Sequence, residues 1–108
     1  MIIDNISRYT KGWFIGSFEP SLIRTSDFEV SVKSFSTGEI EPMHKQEVAT
    51  EITVIISGSV RIGSAVLKQG DIVLIPPGEY TDFQSLTDSV LVCVKTPSIS
   101  SDKVLFNK

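Results

Sequence analysis

The chain carries one imidazole and one thiol, and these two groups bound its chemistry. His44 is the single side chain whose ordinary pKa lies near neutrality, so any proton transfer at physiological pH would centre on it. A reaction that needs two imidazoles is excluded. Gln46 follows two residues later, and on an extended segment both side chains point to the same face. Glu51 reaches the region from the next β-rich run, where it shares a face with Thr53, Ile55 and Ser57, a mixed polar lining suited to a pocket. A carboxylate buried there needs partners, or its pKa rises. Cys93, between Val92 and Val94, reads as a small hydrophobe on a strand. Alone it forms no internal disulfide, and zinc modules built on four cysteines are ruled out. Lys33, Lys45, Arg61 and Lys95 are the candidates for holding a phosphate, and most are expected to face outward. Glu39 and Glu41 read as a solvated edge, and Trp13 as a structural or interface residue.

The elements that must position these groups are strands. Among 108 residues there are 13 Ile, 11 Val and 8 Thr against 2 Ala. β-Branched side chains lose χ1 freedom in a helix and sit well on a pleated sheet, so the composition points to a mainly antiparallel β domain. Turn-forming clusters divide the chain into expected strands at 13–18, 28–35, 39–44, 51–56, 60–62, 65–67, 72–75, 81–86, 90–95 and 104–106. Within 28–35 the alternation predicts Phe28, Val30 and Val32 on the buried face, with Glu29, Ser31 and Lys33 opposite. Pro42 suggests an edge position. Many short strands at this spacing fit a sandwich or a barrel, and periodicity alone does not choose between them.

Charge and hydropathy remove other functions. The net charge is −3 with no cluster of basic residues, which leaves no footprint for a nucleic-acid backbone. No apolar run approaches the roughly 20 residues that span a bilayer. The first residues lack the basic-then-apolar layout of a signal peptide. A cytoplasmic protein without nucleic-acid or membrane partners is expected.

Two stretches are more specific. Five residues separate Gly38 from His44, one separates His44 from Gln46, four lie between Gln46 and Glu51, and six between Glu51 and Gly58. Further on, five residues separate Gly70 from Pro76, one separates Pro76 from Gly78, two precede Thr81 and three more precede Ser85. This layout resembles the two cupin motifs, at 38–58 and 70–85. The resemblance implies one all-β domain over 1–108, a cupin barrel (double-stranded β-helix, or jelly roll). In cupins the positions of His44, Gln46, Glu51 and Thr81 hold a divalent metal. Here Gln46 and Thr81 stand where the family has histidine, and Ser85 where it has asparagine.

His44 and Glu51 retain the usual ligand types, which suit Fe, Mn, Ni or Zn, and the Gln46 amide is a weaker neutral donor. Three protein ligands suffice for a catalytic metal, so His44, Gln46 and Glu51 form the candidate metal set. Thr81, Phe83 and Ser85 share the face that motif two turns inward. The implied function is binding of a small molecule, a carbohydrate or organic acid, through His44, Gln46, Glu51, Thr81 and Phe83, with the metal site weakened or lost. The alternatives are a metal enzyme of dioxygenase or isomerase type on a His/Gln/Glu site, and a metal-free sugar-nucleotide isomerase or epimerase. In an enzyme, His44 and Glu51 are the catalytic candidates. A homodimer is also implied, with Ile2, Ile3, Trp13 and Phe14 available to pair across a two-fold axis.

Overall fold

A computed structural model describes residues 1–107. Strands β1 (Trp13–Gly16), β2 (Ile23–Arg24), β3 (Glu29–Phe35), β5 (Thr50–Ser57), β8 (Ile72–Ile75) and β10 (Ser89–Thr96) form one sheet in the order β2-β1-β3-β10-β5-β8. Strands β4 (Ile40–Gln46), β6 (Ser59–Ile62), β7 (Ala65–Lys68), β9 (Thr81–Ser85) and β11 (Lys103–Leu105) form the second, in the order β11-β4-β9-β6-β7. The ten expected strands are all present, within a few residues of their expected ends. The two-residue β2 is new, because two residues are too short for any periodicity to show. Two 3₁₀ turns, Ile6–Arg8 and Thr10–Gly12, precede β1. Among the described residues no helix is long and apolar enough to cross a membrane.

Turn chemistry sets the ends of the strands. Gly58 joins β5 to β6 at φ +83°, and a Cβ there would run into the Asp88 carbonyl and the Ser89 backbone. Both the left-handed conformation and the close approach require glycine. At this end of the barrel the interior is apolar. Ile55, Val60, Phe83 and Leu91 form the core, with Phe35, Ile62 and Leu67 packed against them.

Away from those turns the interior becomes polar, and here the face expected for β3 is reversed. Glu29 and Ser31 are buried, whereas Phe28 is 40% exposed and Val30 and Val32 are half-buried on the outside. The register places Ser31 and Lys33 opposite Cys93 and Leu91 of β10, on the inward side. Alternation gave the correct period and the wrong face, because the rule assigns the more apolar side to the interior and this interior contains a cavity.

The loop between β4 and β5 is tied down by a buried carboxylate. Asp102, 4% exposed, accepts the Val48 and Ala49 backbone N–H groups, both at 2.8 Å. That clamp sets where Gln46 ends one strand and Glu51 begins the next. Asp102→Ala leaves two donors unpaired, and should lower stability by about 2–4 kcal/mol in urea unfolding. Asp102→Asn retains one acceptor oxygen and should recover part of the loss.

Candidate functional site

His44, Glu51, Thr81 and Phe83 line one interior cavity of about 50 Å³. They arrive from three strands, β4, β5 and β9. β5 contributes Glu51 and Thr53 on its inward face, and Thr53 Oγ1 donates to Glu51 Oε2 at 3.2 Å. β9 contributes Thr81 and Phe83, and the Phe83 ring lies 4.5 Å from that of Phe35. Phe83 is therefore at once the top of the apolar core and the floor of the cavity. Ser85, fully buried, donates to the Thr87 carbonyl at 2.6 Å and shares a hydrogen bond with Ser89 at 2.7 Å. It ties the turn after β9 and does not line the cavity.

A bulge in β4 presents His44. The pairing of β4 with β9 slips between Glu41, opposite Phe83, and His44, opposite Thr81. The extra residue lets two side chains three positions apart both line the cavity. The His44 Nδ1 lies 2.9 Å from the Pro42 carbonyl, which only accepts, so Nδ1 carries a proton and the lone pair of the neutral ring is on Nε2. The same bulge turns Glu41 inward, where Lys33 meets it at 3.9 Å. Glu41 is thus no solvated edge. Pro42 was the signal, since proline inside a strand marks a bulge as readily as an edge.

Gln46 parts company with His44. It is buried to 6% exposure, pairs with Lys103 of β11, and opens onto a neighbouring chamber instead. Three lysines, Lys33, Lys95 and Lys103, line the His44 cavity. Most of the four candidate cations are expected to face outward; Lys33 and Lys95 instead line the cavity, through the reversed face of β3 and the matching face of β10. Their ammonium groups lie 5.1 and 5.0 Å from the centre of the Trp13 ring, whose negative face attracts them. Trp13 thus positions two lysines of the cavity, while its own ring lines the neighbouring chamber.

These surroundings decide the state of Cys93, which is 5% exposed on the cavity wall. Burial, aided by the Glu51 carboxylate, pushes its thiol up to about 12, against the opposing pull of Lys33 and Lys95. The native thiol is inert. The stabilisation from this shift is complete below the unfolded value of 9.0 and is lost as pH rises towards 12. Unfolding midpoints should fall between pH 9 and 11, and Cys93→Ala should remove that component of the fall.

A divalent metal does not fit this donor set. Among the described residues no three His, Cys, Asp or Glu side chains come together closely enough to hold one. Gln46 opens onto the other chamber, and of the carboxylates that line the cavity with His44 and Glu51, Glu41 faces Lys33 and Asp82 is held by Arg61.

No protein-family model and no curated protein matches the chain. Solved structures do. An uncharacterized conserved protein with a double-stranded beta-helix domain from Klebsiella pneumoniae aligns over 98% of this chain and 92% of its own, at 21% identity and a TM-score of 0.72. A cupin-2 domain containing protein from Shewanella frigidimarina aligns over 67% and 72%, at 13% identity and a TM-score of 0.60. The DMSP lyase DddQ from Ruegeria pomeroyi aligns over 86% of this chain and 49% of its own, at 21% identity and a TM-score of 0.68. With two facing sheets and both glycine-spaced motifs in place, the chain has the double-stranded β-helix fold of the cupins.

Proposed function

We propose that the protein binds a small organic acid inside the barrel, with lysines supplying the positive charge that a metal supplies in metal-binding cupins. One observation carries the reading: three lysines, Lys33, Lys95 and Lys103, line the cavity beside three carboxylates, Glu41, Glu51 and Asp82, and two of those lysines have no carboxylate within ion-pair distance among the described residues. Among the described residues only the Lys33–Glu41 contact brings a lysine of this cavity within 4.0 Å of a carboxylate. Asp82, also at the cavity, is held by Arg61 at 2.9 Å, and that pairing keeps its carboxyl below the usual range. Lys95 lies between Glu51 and Glu29 on the adjoining strands, yet neither approaches within 4.0 Å. Its three N–H donors remain available to a ligand carboxylate. Thr81 and Glu51 can hydrogen-bond a hydroxyl on the same molecule.

The cavity volume limits the ligand. About 50 Å³ holds a carboxylate or a few waters, whereas drug-sized ligands occupy roughly 300–1,000 Å³. This favours a small acid over a sugar nucleotide enclosed in the barrel. Calorimetric titration with acetate, glycolate and lactate at low salt tests the reading, with Mn, Fe, Ni and Zn titrated in parallel. Carboxylate binding that weakens with added salt supports it. Stoichiometric metal binding lost in both His44→Ala and Glu51→Ala would replace it with the metal-enzyme alternative.

A second reading is favoured by the geometry of His44. With Nδ1–H engaged by Pro42, Nε2 is oriented as a general base beside a bound acid. Proton exchange at the α-carbon of a bound 2-hydroxy acid in D₂O, abolished by His44→Gln, would distinguish an enzyme from a binding protein.

We also infer a homodimer, formed through the outer face of the six-stranded sheet. The register places Val32, Val92, Val54 and Ile72 in one row and Val30, Val94, Ile52 and Leu74 in the next. Ile72 and Leu74 are 67% and 60% exposed. Trp13 and Phe14, by contrast, are half-buried within the chain's own fold.

A further inference from the structure

Beside the small cavity lies a chamber of about 350 Å³, and the two share Lys95 and Lys103 in their walls. The larger chamber lies where β1 of one sheet and β11 of the other bring Trp13 and Lys103 together. Its walls are of two kinds. Trp13, Phe18, Pro20 and Ile99 make an apolar side, with Trp13 and Phe18 edge-to-face at 6.4 Å. Gln46 lies on the polar side, 6% exposed, and its Nε2 has no hydrogen-bond partner among the described residues.

A buried amide without a partner is costly unless a ligand or water completes it. Rotation of the amide plane exchanges its oxygen and nitrogen, so either end can be offered to a ligand oxygen. Charge is arranged with the same asymmetry. The carboxylates of this chamber are already engaged, Glu19 by Arg24 at 2.8 Å and Glu29 by the Ser98 hydroxyl at 2.8 Å. Lys95 and Lys103, on the wall common to both spaces, have no carboxylate within 4.0 Å among the described residues.

We propose that the chamber receives the apolar tail of a monocarboxylate whose head group sits at Lys95 and Lys103. This rests on the reading of the small cavity as a carboxylate site and extends it to a ligand class: an amphipathic acid with an aromatic or short aliphatic tail. The inner cavity alone accommodates little beyond the head. The chamber has the size of an ordinary small-molecule site, and a tail there is stacked by Trp13 and Phe18. Gln46 completes its amide with a ligand oxygen at the junction.

The single tryptophan of the chain reports on the chamber. Four probes are titrated into the full protein, read by calorimetry and by Trp13 emission: acetate, 3-phenylpropionate, 3-phenylpropanol and 3-phenylpropylamine. The expected result is that 3-phenylpropionate binds at least about tenfold more tightly than acetate and changes Trp13 emission, while the amine does not bind. Phe18→Ala and Ile99→Ala should each reduce the advantage of the tail. Equal affinity for acetate and 3-phenylpropionate overturns the proposal and leaves the carboxylate site intact, as does tail binding that leaves Trp13 emission unchanged. Tight binding of the alcohol with no binding of either acid overturns both.

Discussion

Lys95→Met is expected to weaken binding of a small carboxylate by about 10- to 100-fold, the loss of one charge-assisted hydrogen bond in a partly desolvated site. Methionine keeps the linear stem and its packing against Trp13, so the change isolates the ammonium group. Lys33 does not compensate, because it already faces Glu41 at 3.9 Å. Lys95→Arg keeps the charge and should retain most of the affinity. Salt supplies an independent readout: affinity of the native protein should fall with added KCl, and that of Lys95→Met should fall less. The variant also leaves Glu29 and Glu51 on either side of a neutral residue, so its thermal midpoint is measured alongside to separate lost folding from lost binding. Unchanged affinity in a folded Lys95→Met protein would refute the role of this ammonium.

The same lysines explain why the departed motif is coherent. On the proposed reading, the cavity keeps His44 and Glu51, adds Glu41 and Asp82, which are held by Lys33 and Arg61, and adds Lys95 and Lys103, which are not paired among the described residues. The positive charge offered to a ligand then comes from side chains. Such a site remains charged at neutral pH without any cofactor, and its selectivity rests on hydrogen-bond donors rather than on coordination geometry. His44, with Nδ1–H donated to the Pro42 carbonyl, presents Nε2 to whatever the cavity holds.

Much of this was legible in the sequence, and the exceptions share a cause. The glycine spacing located both motifs, and the inward face of β5 followed from alternation once Glu51 was placed. His44, Glu51, Thr81 and Phe83 do come together. What alternation could not supply was a sense of which face is interior. That depends on whether the interior is filled or hollow, and here it is filled at the Ile55–Phe83 end and hollow at the Glu51–Lys95 end. Lys33 and Glu29 followed β3 inward for that reason. Glu41 was misplaced through the bulge at Pro42, a local register change that counting by twos cannot anticipate, whereas Gln46 keeps regular register from His44 and lines the next chamber because it lies further along the strand. Trp13 and Lys103 reach the site from β1 and β11, far from either motif in sequence, so only the closure of the two sheets brings them in.

Leu74→Arg is expected to convert a dimer into a monomer. The aliphatic rows on the outer face run across β3, β10, β5 and β8, and no charged residue interrupts them. Strands lie about 4.8 Å apart, so eight side chains in two rows form a continuous apolar area, to which Ile56, 47% exposed, adds at one corner. Such an area suits the dry centre of an interface that buries about 800 Å² per partner, with polar residues at its rim. A second copy is the favoured occupant because a two-fold axis sets this flat, uncharged face against its own equivalent, and two such sheets pack well at about 10 Å. Arginine at position 74 then appears twice in the interface, each desolvated without a carboxylate partner. The penalty of several kcal/mol raises the dissociation constant by at least about 100-fold. Sedimentation velocity measures this directly, with Ile72→Glu as a second variant and circular dichroism to confirm that both remain folded. A native protein that sediments as a monomer at about 100 μM, where even a weak dimer should be populated, would rule out the pairing. So would a Leu74→Arg variant that remains dimeric.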